Sequence, residues 1–337
     1  MNVLYLLPIL PPKIPQAEAL YQEIDLLRRH HPGRLIYINP NQHLRLPVRL
    51  PRLLFGWQLL AKLRQWAQGC DVCHFYNPDP FAYPILSYLR KPVVYSLSGG
   101  LSQTWNRRYF ARLGAITTLS QADQAHMQQQ GLRNVFLVRP SVDAQRFTQQ
   151  PQPLVAQSPI RLMMASAPWT HSQFQSKGVD ALLTAAQRNP RLHITFLWRG
   201  HLLPEMQQRL AQANLKSQIS IIDGAVDVNA ILATVHASVV LAEGSQIIKA
   251  YPQSLLDSLA AGKPVLLSRS IPMSDYVGQT GCGEIIDSVT PEAILASVAA
   301  LEANYARYAT VSQTAAHDFA PEQTVASFTA AYEFARA

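Results

Sequence analysis

Val239–Ser268 reads VVLAEGSQIIKAYPQSLLDSLAAGKPVLLS, and this stretch decides the fold. Val239–Ala242 is a short apolar run of the kind that fills a buried parallel strand. A loop follows, Pro252 opens an amphipathic segment that runs to Ala261, and Pro264–Ser268 is a second apolar run. The pattern is an α/β crossover. Leu255, Leu256 and Leu259 face the core, whereas Ser254 and Asp257, three apart, share another face of the helix. The first N–H groups of such a helix have no internal partners and stand at the positive end of its dipole, which favours an anion there. Asp257 can accept two hydrogen bonds from a vicinal diol such as ribose. Gly262 permits the close turn into the next strand. An ordinary crossover with a solvated aspartate has the same spacing.

Working outward, the same alternation covers the chain. In the first half, Val3–Leu7, Leu35–Ile38, Val72–Phe75, Val93–Leu97, Ala115–Thr118 and Val135–Val138 read as strands. Gln16–Arg29 reads as a helix with Ala17, Leu20, Ile24 and Leu27 on one face. Ser120 caps a helix that Gly131 ends. Gln149–Ser158, QQPQPLVAQS, lacks periodicity and reads as a linker. The pattern then restarts: Arg161–Ala165, Leu192–Leu197 and Ile219–Ile222 are strands, and Gly178–Gln187 and Val228–His236 are helices. Pro291–Leu301 and Tyr305–Asp318 read as two late helices, and Pro321 opens a last one to about Ala335. The expected organisation is two Rossmann-like α/β domains facing a central cleft. One spans 1–148 and the other 159–319, with 320–337 returning as a helix to the N-terminal domain.

Composition narrows the function. The 337 residues are 48% hydrophobic and 15% charged, which excludes a disordered chain. No apolar stretch reaches the roughly 20 residues of a membrane span. MNVLYLLPIL reads as a buried first strand rather than a signal peptide. The three cysteines cannot build a disulfide framework, and Cys70-x-x-Cys73 reads as structural, so a reducing cytoplasm is expected. The ten histidines show no HExxH-type spacing, so no metal is expected. Residues 1–150 hold 17 Lys and Arg against 7 Asp and Glu, which favours an anionic partner for the first half. No binding-motif spacing for nucleic acid is present.

Three further stretches carry chemistry. In Gln175–Asp180, QSKGVD, Lys177 and Gly178 precede a helix, where a lysine can neutralise a phosphate; a solvated lysine fits equally. Leu44–Trp66, LRLPVRLPRLLFGWQLLAKLRQW, interleaves Arg45, Arg49, Arg52, Lys62 and Arg64 with large apolar side chains. As a helix from Arg52 it suits an anionic bilayer surface, or else the edge of a core helix. His74 is placed at the end of a strand in the first half, where ligands gather in α/β folds, or where a histidine simply packs. Asn77 and Asp79 follow it. No GxGxxG follows either first strand, which argues against a dinucleotide-dependent enzyme.

SKGVDALLTAA, LLDSLAAGKPVLLS and IPMSDYVGQTGCGEII, together with DVCHFYNPD, KPVVYSLSGG, AITTLSQAD and LVRPSVDAQRF in the first half, stand in an order that resembles one family. The chain is similar to GT-B glycosyltransferases of the retaining family-4 type. The resemblance implies transfer of a sugar from a nucleotide-diphosphate sugar to a lipid-linked or polysaccharide-type acceptor of the cell envelope, with retention and with no cofactor. It places Lys177 on the diphosphate and Asp257 at the second of two glutamates, as the ribose ligand. Lys249 occupies the first glutamate's position. The arginine expected before Lys177 is missing, with His171 nearby and Arg199 a substitute cation. The usual histidine after the fourth strand appears as Ser98, and Pro11–Pro15 replaces a glycine-rich loop. The implied catalytic set is Lys177, Arg199 and Lys249, with Gln253, Ser254, Leu255 and Asp257 on the donor. His74, Ser98, Gly99 and Gly100 stand on the acceptor side. The expected location is the cytoplasm, peripheral on the inner face of the membrane through residues 44–66. The alternative is a catalytically degenerate module that binds a nucleotide sugar or partners an active transferase.

Overall fold

The computed structural model describes residues 1–11, 19–42, 49–101, 104–148, 153–198, 200–224 and 226–337. They divide into two compact units, one of Met1–Ser141 with Pro321–Ala337 and one of Val142–Ala320.

The first unit contains β1 (Val3–Leu7), α1 (Ala19–His30), β2 (Leu35–Tyr37), α2 (Leu60–Gln68), β3 (Val72–Asn77), β4 (Val93–Leu97), α3 (Arg107–Phe110), β5 (Ala115–Thr118), α4 (Gln121–Gln129) and β6 (Val135–Leu137). The strands form one parallel sheet in the order β2-β1-β3-β4-β5-β6. β1 shows why its strands read as unbroken apolar runs. Val3, Tyr5 and Leu7 enter the core on one face of the sheet, and Leu4 and Leu6 enter the core on the other. A parallel sheet covered on both faces needs apolar residues at both parities. Ser120 caps α4, its side chain accepting from the Asp123 N–H at 3.1 Å.

The second unit contains β7 (Ile160–Met164), α5 (Ser172–Ser176), α6 (Val179–Arg188), β8 (Leu192–Trp198), α7 (Leu203–Ala213), β9 (Ile219–Asp223), α8 (Val228–Thr234), β10 (Ala237–Val240), α9 (Gln253–Ala260), β11 (Val265–Ser268), α10 (Met273–Thr280), β12 (Gly283–Ile286) and α11 (Pro291–Ala316). Its six strands are parallel in the order β12-β11-β10-β7-β8-β9. The last helix, α12 (Pro321–Arg336), belongs to the first unit, where Phe328, Ala331 and Tyr332 pack with Val3, Tyr5 and Leu7.

Three expectations change. The units divide at Ser141/Val142, not within 149–158. Val142 donates its N–H to the Phe319 carbonyl at 2.8 Å, and Phe147 and Leu154 pack on cores of the second unit, so the described residues on both sides of 149–152 belong to it. Residues 149–152 of that stretch lie outside the described residues. The two late helices are the single helix α11. Leu301, Tyr305 and Tyr308 continue one buried stripe, and the Asn304 amide folds back to the Ala300 carbonyl at 2.9 Å without interrupting the ladder. The helix expected from Arg52 is instead two 3-10 turns, Arg52–Leu54 and Trp57–Leu59, leading into α2. Gly56 divides them at φ +86°, donating to the Ile38 carbonyl at 3.0 Å.

Candidate functional site

Strand order locates the site in each unit. In the second unit the chain runs β7-β8-β9 toward one edge and β10-β11-β12 toward the other, so the order reverses between β7 and β10. Ligands of open α/β sheets bind at such a reversal, beyond the carboxyl ends of the strands. The loops that leave β7 and β10 are tied together there. Glu243, after β10, donates its N–H to the Ser176 carbonyl at 2.8 Å. Gly178 has φ +68°, and a Cβ on it would stand 2.7 Å from Leu241 Cδ1 and 2.8 Å from Val289 Cγ1. Only glycine turns the chain this close to both loops, and the turn sets Lys177 at the reversal.

Lys177 is 5% exposed, and its ammonium donates to the Ala167 carbonyl at 3.1 Å. An ammonium has three donors, so burial against one backbone acceptor is an unbalanced charge. Burial accordingly pushes its pKa down. An anion arriving at the β7–β10 reversal would reverse that cost. The cation of the Gly-Lys-Pro turn is not available in the same way. Lys263 is buried against the Val235 carbonyl at 2.6 Å, and burial lowers its pKa to about 8.

α9 begins on the same carboxyl edge, because a crossover helix runs antiparallel to the strands it joins. No side chain caps its N-terminus at Pro252. Gln253 and Ser254 are half-buried, whereas Leu255 is fully buried and donates its backbone N–H to the Pro252 carbonyl at 3.0 Å, so it faces the core rather than a ligand. Asp257 is buried in the second turn and accepts from Gln253 Nε2 at 3.0 Å. Burial raises its pKa, while the Gln253 hydrogen bond and Arg146 oppose the rise. A diol would have to replace Gln253 as the donor. Lys249 is exposed. Arg199 lies outside the described residues. A hollow of about 230 Å³ lies beside this edge, lined by Ala242, Glu243, Ser268, Ser270, Asp287, Ser288 and Val289 at the ends of β10, β11 and β12.

The loop after β7 supplies a feature that the sequence reading passed over. Trp169 is 58% exposed, its N–H fixed by Gln173 Oε1 at 2.8 Å, and its ring stands 6.0 Å from that of His201 in the loop after β8. The signal was a lone tryptophan in the polar stretch APWTHSQ. His171 is exposed, 4.0 Å from Glu205 Oε2.

In the first unit the reversal lies between β1 and β3. Pro12–Pro15 of the proline-rich loop after β1 lie outside the described residues. Beyond β3, Asp79 takes a bidentate pair from Arg52 at 2.7 and 2.8 Å. Arg52 also donates to Tyr83 Oη at 2.9 Å and to Asn77 Oδ1 at 3.2 Å, and stacks over Phe81 at 4.3 Å. Against the pull of burial, Arg52 holds the Asp79 carboxyl below its ordinary range. Ser98 donates its N–H to the Asn77 carbonyl at 2.9 Å, Gly99 lies against the Pro78 carbonyl, and Gly100 lies beside Asp123. Ser98, Gly99 and Gly100 therefore share the carboxyl edge with Asn77 and Asp79.

His74 is not at that edge. β3 extends two residues beyond the expected Phe75, to Asn77, so His74 sits mid-strand and fully buried. Its Nδ1 meets Tyr332 Oη at 2.6 Å, its Nε2 meets Ser96 Oγ at 2.7 Å, and Ser96 meets Thr117 Oγ1 at 2.6 Å. Burial, with His31 nearby, lowers its pKa to about 3. It is a neutral core residue joining β3 to α12 and β4. Among the described residues no three His, Cys, Asp or Glu side chains group as metal ligands, and no helix is long and apolar enough to cross a membrane.

Comparison with known proteins agrees with this fold. Residues 171–318 match the model of the glycosyl transferases group 1 family. No curated protein matches the chain by sequence. Among solved structures, the chain resembles Anabaena Alr3699/HepE in complex with UDP, at 13% identity and a TM-score of 0.71, over 99% of this chain and 100% of that one. It resembles a glycosyltransferase from Rickettsia africae at 12% identity and a TM-score of 0.74, over 99% and 98%. It also resembles the lipopolysaccharide outer core galactosyltransferase WaaB, at 12% identity and a TM-score of 0.71, over 98% and 99%. The chain therefore has the GT-B glycosyltransferase fold, and within its second unit residues 171–318 match the glycosyl transferases group 1 model.

Proposed function

We propose that the chain transfers a sugar from a nucleotide-diphosphate sugar to a lipid-linked or polysaccharide-type acceptor of the cell envelope, with retention of the anomeric configuration. The observation that carries the reading is Lys177. It is a buried ammonium with one backbone acceptor at the strand-order reversal of a unit that matches the group 1 family. The solved relatives support it: HepE has been determined with UDP and with UDP-glucose.

In this reading the bond from the anomeric carbon to the diphosphate breaks, a bond from that carbon to an acceptor hydroxyl oxygen forms, and the hydroxyl proton passes to the departing diphosphate. Negative charge grows on the departing diphosphate. Lys177 and the amides of Gln253 and Ser254 meet that charge from fixed positions, with Arg199 as a further cation, which lowers the barrier without reorganisation and without a metal ion. Asp257 holds the ribose after releasing Gln253, and Trp169 offers a flat face to a ring. Lys249 adds a phosphate contact or pairs with a donor carboxylate such as that of a uronic acid. Ser98, Gly99 and Gly100 stand on the acceptor side; His74 leaves that set. The protein acts in the cytoplasm, on the inner face of the membrane.

A thermal-shift screen of UDP-, GDP- and ADP-sugars tests donor binding, since a ligand that binds only the native state raises its stability. The expected result is a shift with one nucleotide class, followed by release of that nucleoside diphosphate when membrane extract is added. Binding without release would favour the catalytically degenerate module. No shift with any of them would remove the proposal.

A further inference from the structure

Four of the large apolar side chains that the first unit leaves in solvent stand on neighbouring 3-10 turns. Leu53 and Leu54 are 53% and 46% exposed, Trp57 is 36% exposed, and Tyr88, on the turn Pro84–Tyr88, is 47% exposed. They form one surface. The Trp57 and Tyr88 rings meet edge to face at 4.9 Å, and Trp57 Nε1 donates to the Leu53 carbonyl at 3.0 Å. Phe55, between them in sequence, is buried in the core and anchors the turn. Arg49, Lys62 and Arg90 are exposed on the flanking segments, and Arg64 donates to the Tyr88 carbonyl at 3.2 Å. Arg52 is excluded, because Asp79 already neutralises it.

The charge around this surface has one sign. Residues 26–70 contain no Asp or Glu, and neither do residues 80–122. The first unit holds 17 Lys and Arg against 8 Asp and Glu. An apolar tip carrying Trp and Tyr, on segments whose exposed charges are cations with no acid among them, matches the boundary between acyl chains and anionic headgroups. A protein partner with a dry interface would leave those cations without counter-charges.

We propose that Leu53, Leu54, Trp57 and Tyr88 insert into an anionic lipid bilayer, with Arg49, Lys62, Arg64 and Arg90 on its headgroups. The inference stands apart from the transfer reaction and would survive its failure.

The test is co-sedimentation of the full chain with vesicles of phosphatidylcholine alone, or mixed equally with phosphatidylglycerol, at low and high salt. Binding should require phosphatidylglycerol and fall with salt. Replacing Arg49, Lys62 and Arg90 by Gln should weaken it by about a hundredfold, at about fivefold for each cation. Leu53→Ser with Leu54→Ser should weaken it about tenfold or more. Brominated lipid should quench wild-type fluorescence and lose that part of the effect in Trp57→Phe. Nucleotide binding without lipid, and the unfolding midpoint, should be unchanged in the Leu53/Leu54 variant, which separates lost docking from lost fold. Equal binding to both vesicles, or undiminished binding by either set of variants, would overturn the proposal. So would a self-association that the Leu53/Leu54 change abolishes in a chain that ignores vesicles.

Discussion

A carboxylate and a histidine, both buried, have opposite meanings in this molecule. Asp257 keeps one neighbour, Gln253, and lies on the carboxyl edge of its unit, where a ligand can replace that neighbour. Asp257→Asn should therefore reduce the preference for ribonucleotides over deoxyribonucleotides by about tenfold, the worth of one to two hydrogen bonds. Competition binding of UDP and dUDP checks this, and an unchanged ratio excludes the ribose role. His74 has both ring nitrogens satisfied and no ligand to meet. Its pKa of about 3 in the fold means that the unfolded chain takes up a proton near pH 6.5 and the folded one does not. Its neutral form thus stabilises fully above that value, and the contribution is lost as pH falls toward 3. By pH 5 the loss is about 2 kcal/mol. Urea unfolding at pH 7.5 and pH 5 should show a smaller acid loss in His74→Phe than in the wild type; equal losses would contradict the assignment. Both residues were legible in the sequence as types and positions. Their difference was not, because it depends on where β3 ends and on Tyr332, 258 residues away.

Elements were legible where periodicity and breakers agree, and misread where a break has no residue of its own. All six strands of the first sheet and five of the second were found from apolar runs, because burial on both faces leaves no polar parity to confuse the reading, whereas the half-buried edge strand β12 was not. α11 was divided at Glu302–Asn304, where polar residues interrupt the stripe although nothing stops the backbone. Ala303 is exposed, so Ala303→Pro tests the continuous helix without disturbing the core. It should cost about 3 kcal/mol or more in unfolding free energy; a cost near zero would mean two helices joined by a hinge. The Lys177 turn was found as Lys-Gly before a helix, but its geometry comes from Leu241 and Val289. Gly178→Ala should destabilise the second unit by about 2 kcal/mol or more, through strained φ and a displaced loop. Nucleotide affinity should fall with it, as measured by calorimetry below the unfolding temperature. A variant of wild-type stability would show that the approach of the two loops is not tight.

At the scale of the chain, each unit owns a sheet, a core and a strand-order reversal, and the division was harder to read than its halves. Two prolines and a lack of periodicity suggested a linker over Gln149–Ser158, where Leu154 packs on the second unit's core instead. α12 supplies Phe328, Ala331 and Tyr332 to the first unit's core, so a chain ending at Ala320 should lose cooperative unfolding of that unit and expose apolar surface. Dye binding and hydrogen exchange at β1 and β3 would show this, and native protection there in the shortened chain would contradict it. The proposed transfer rests on the second unit alone, on its buried lysine serving as the anion site for a diphosphate. The direct measurement is calorimetric titration of UDP and of uridine into the wild type and Lys177→Ala. The substitution should weaken UDP by roughly 10- to 100-fold, the worth of a hydrogen bond to a charged group, and leave uridine unchanged. Equal losses for both ligands, or undiminished UDP binding, would contradict it.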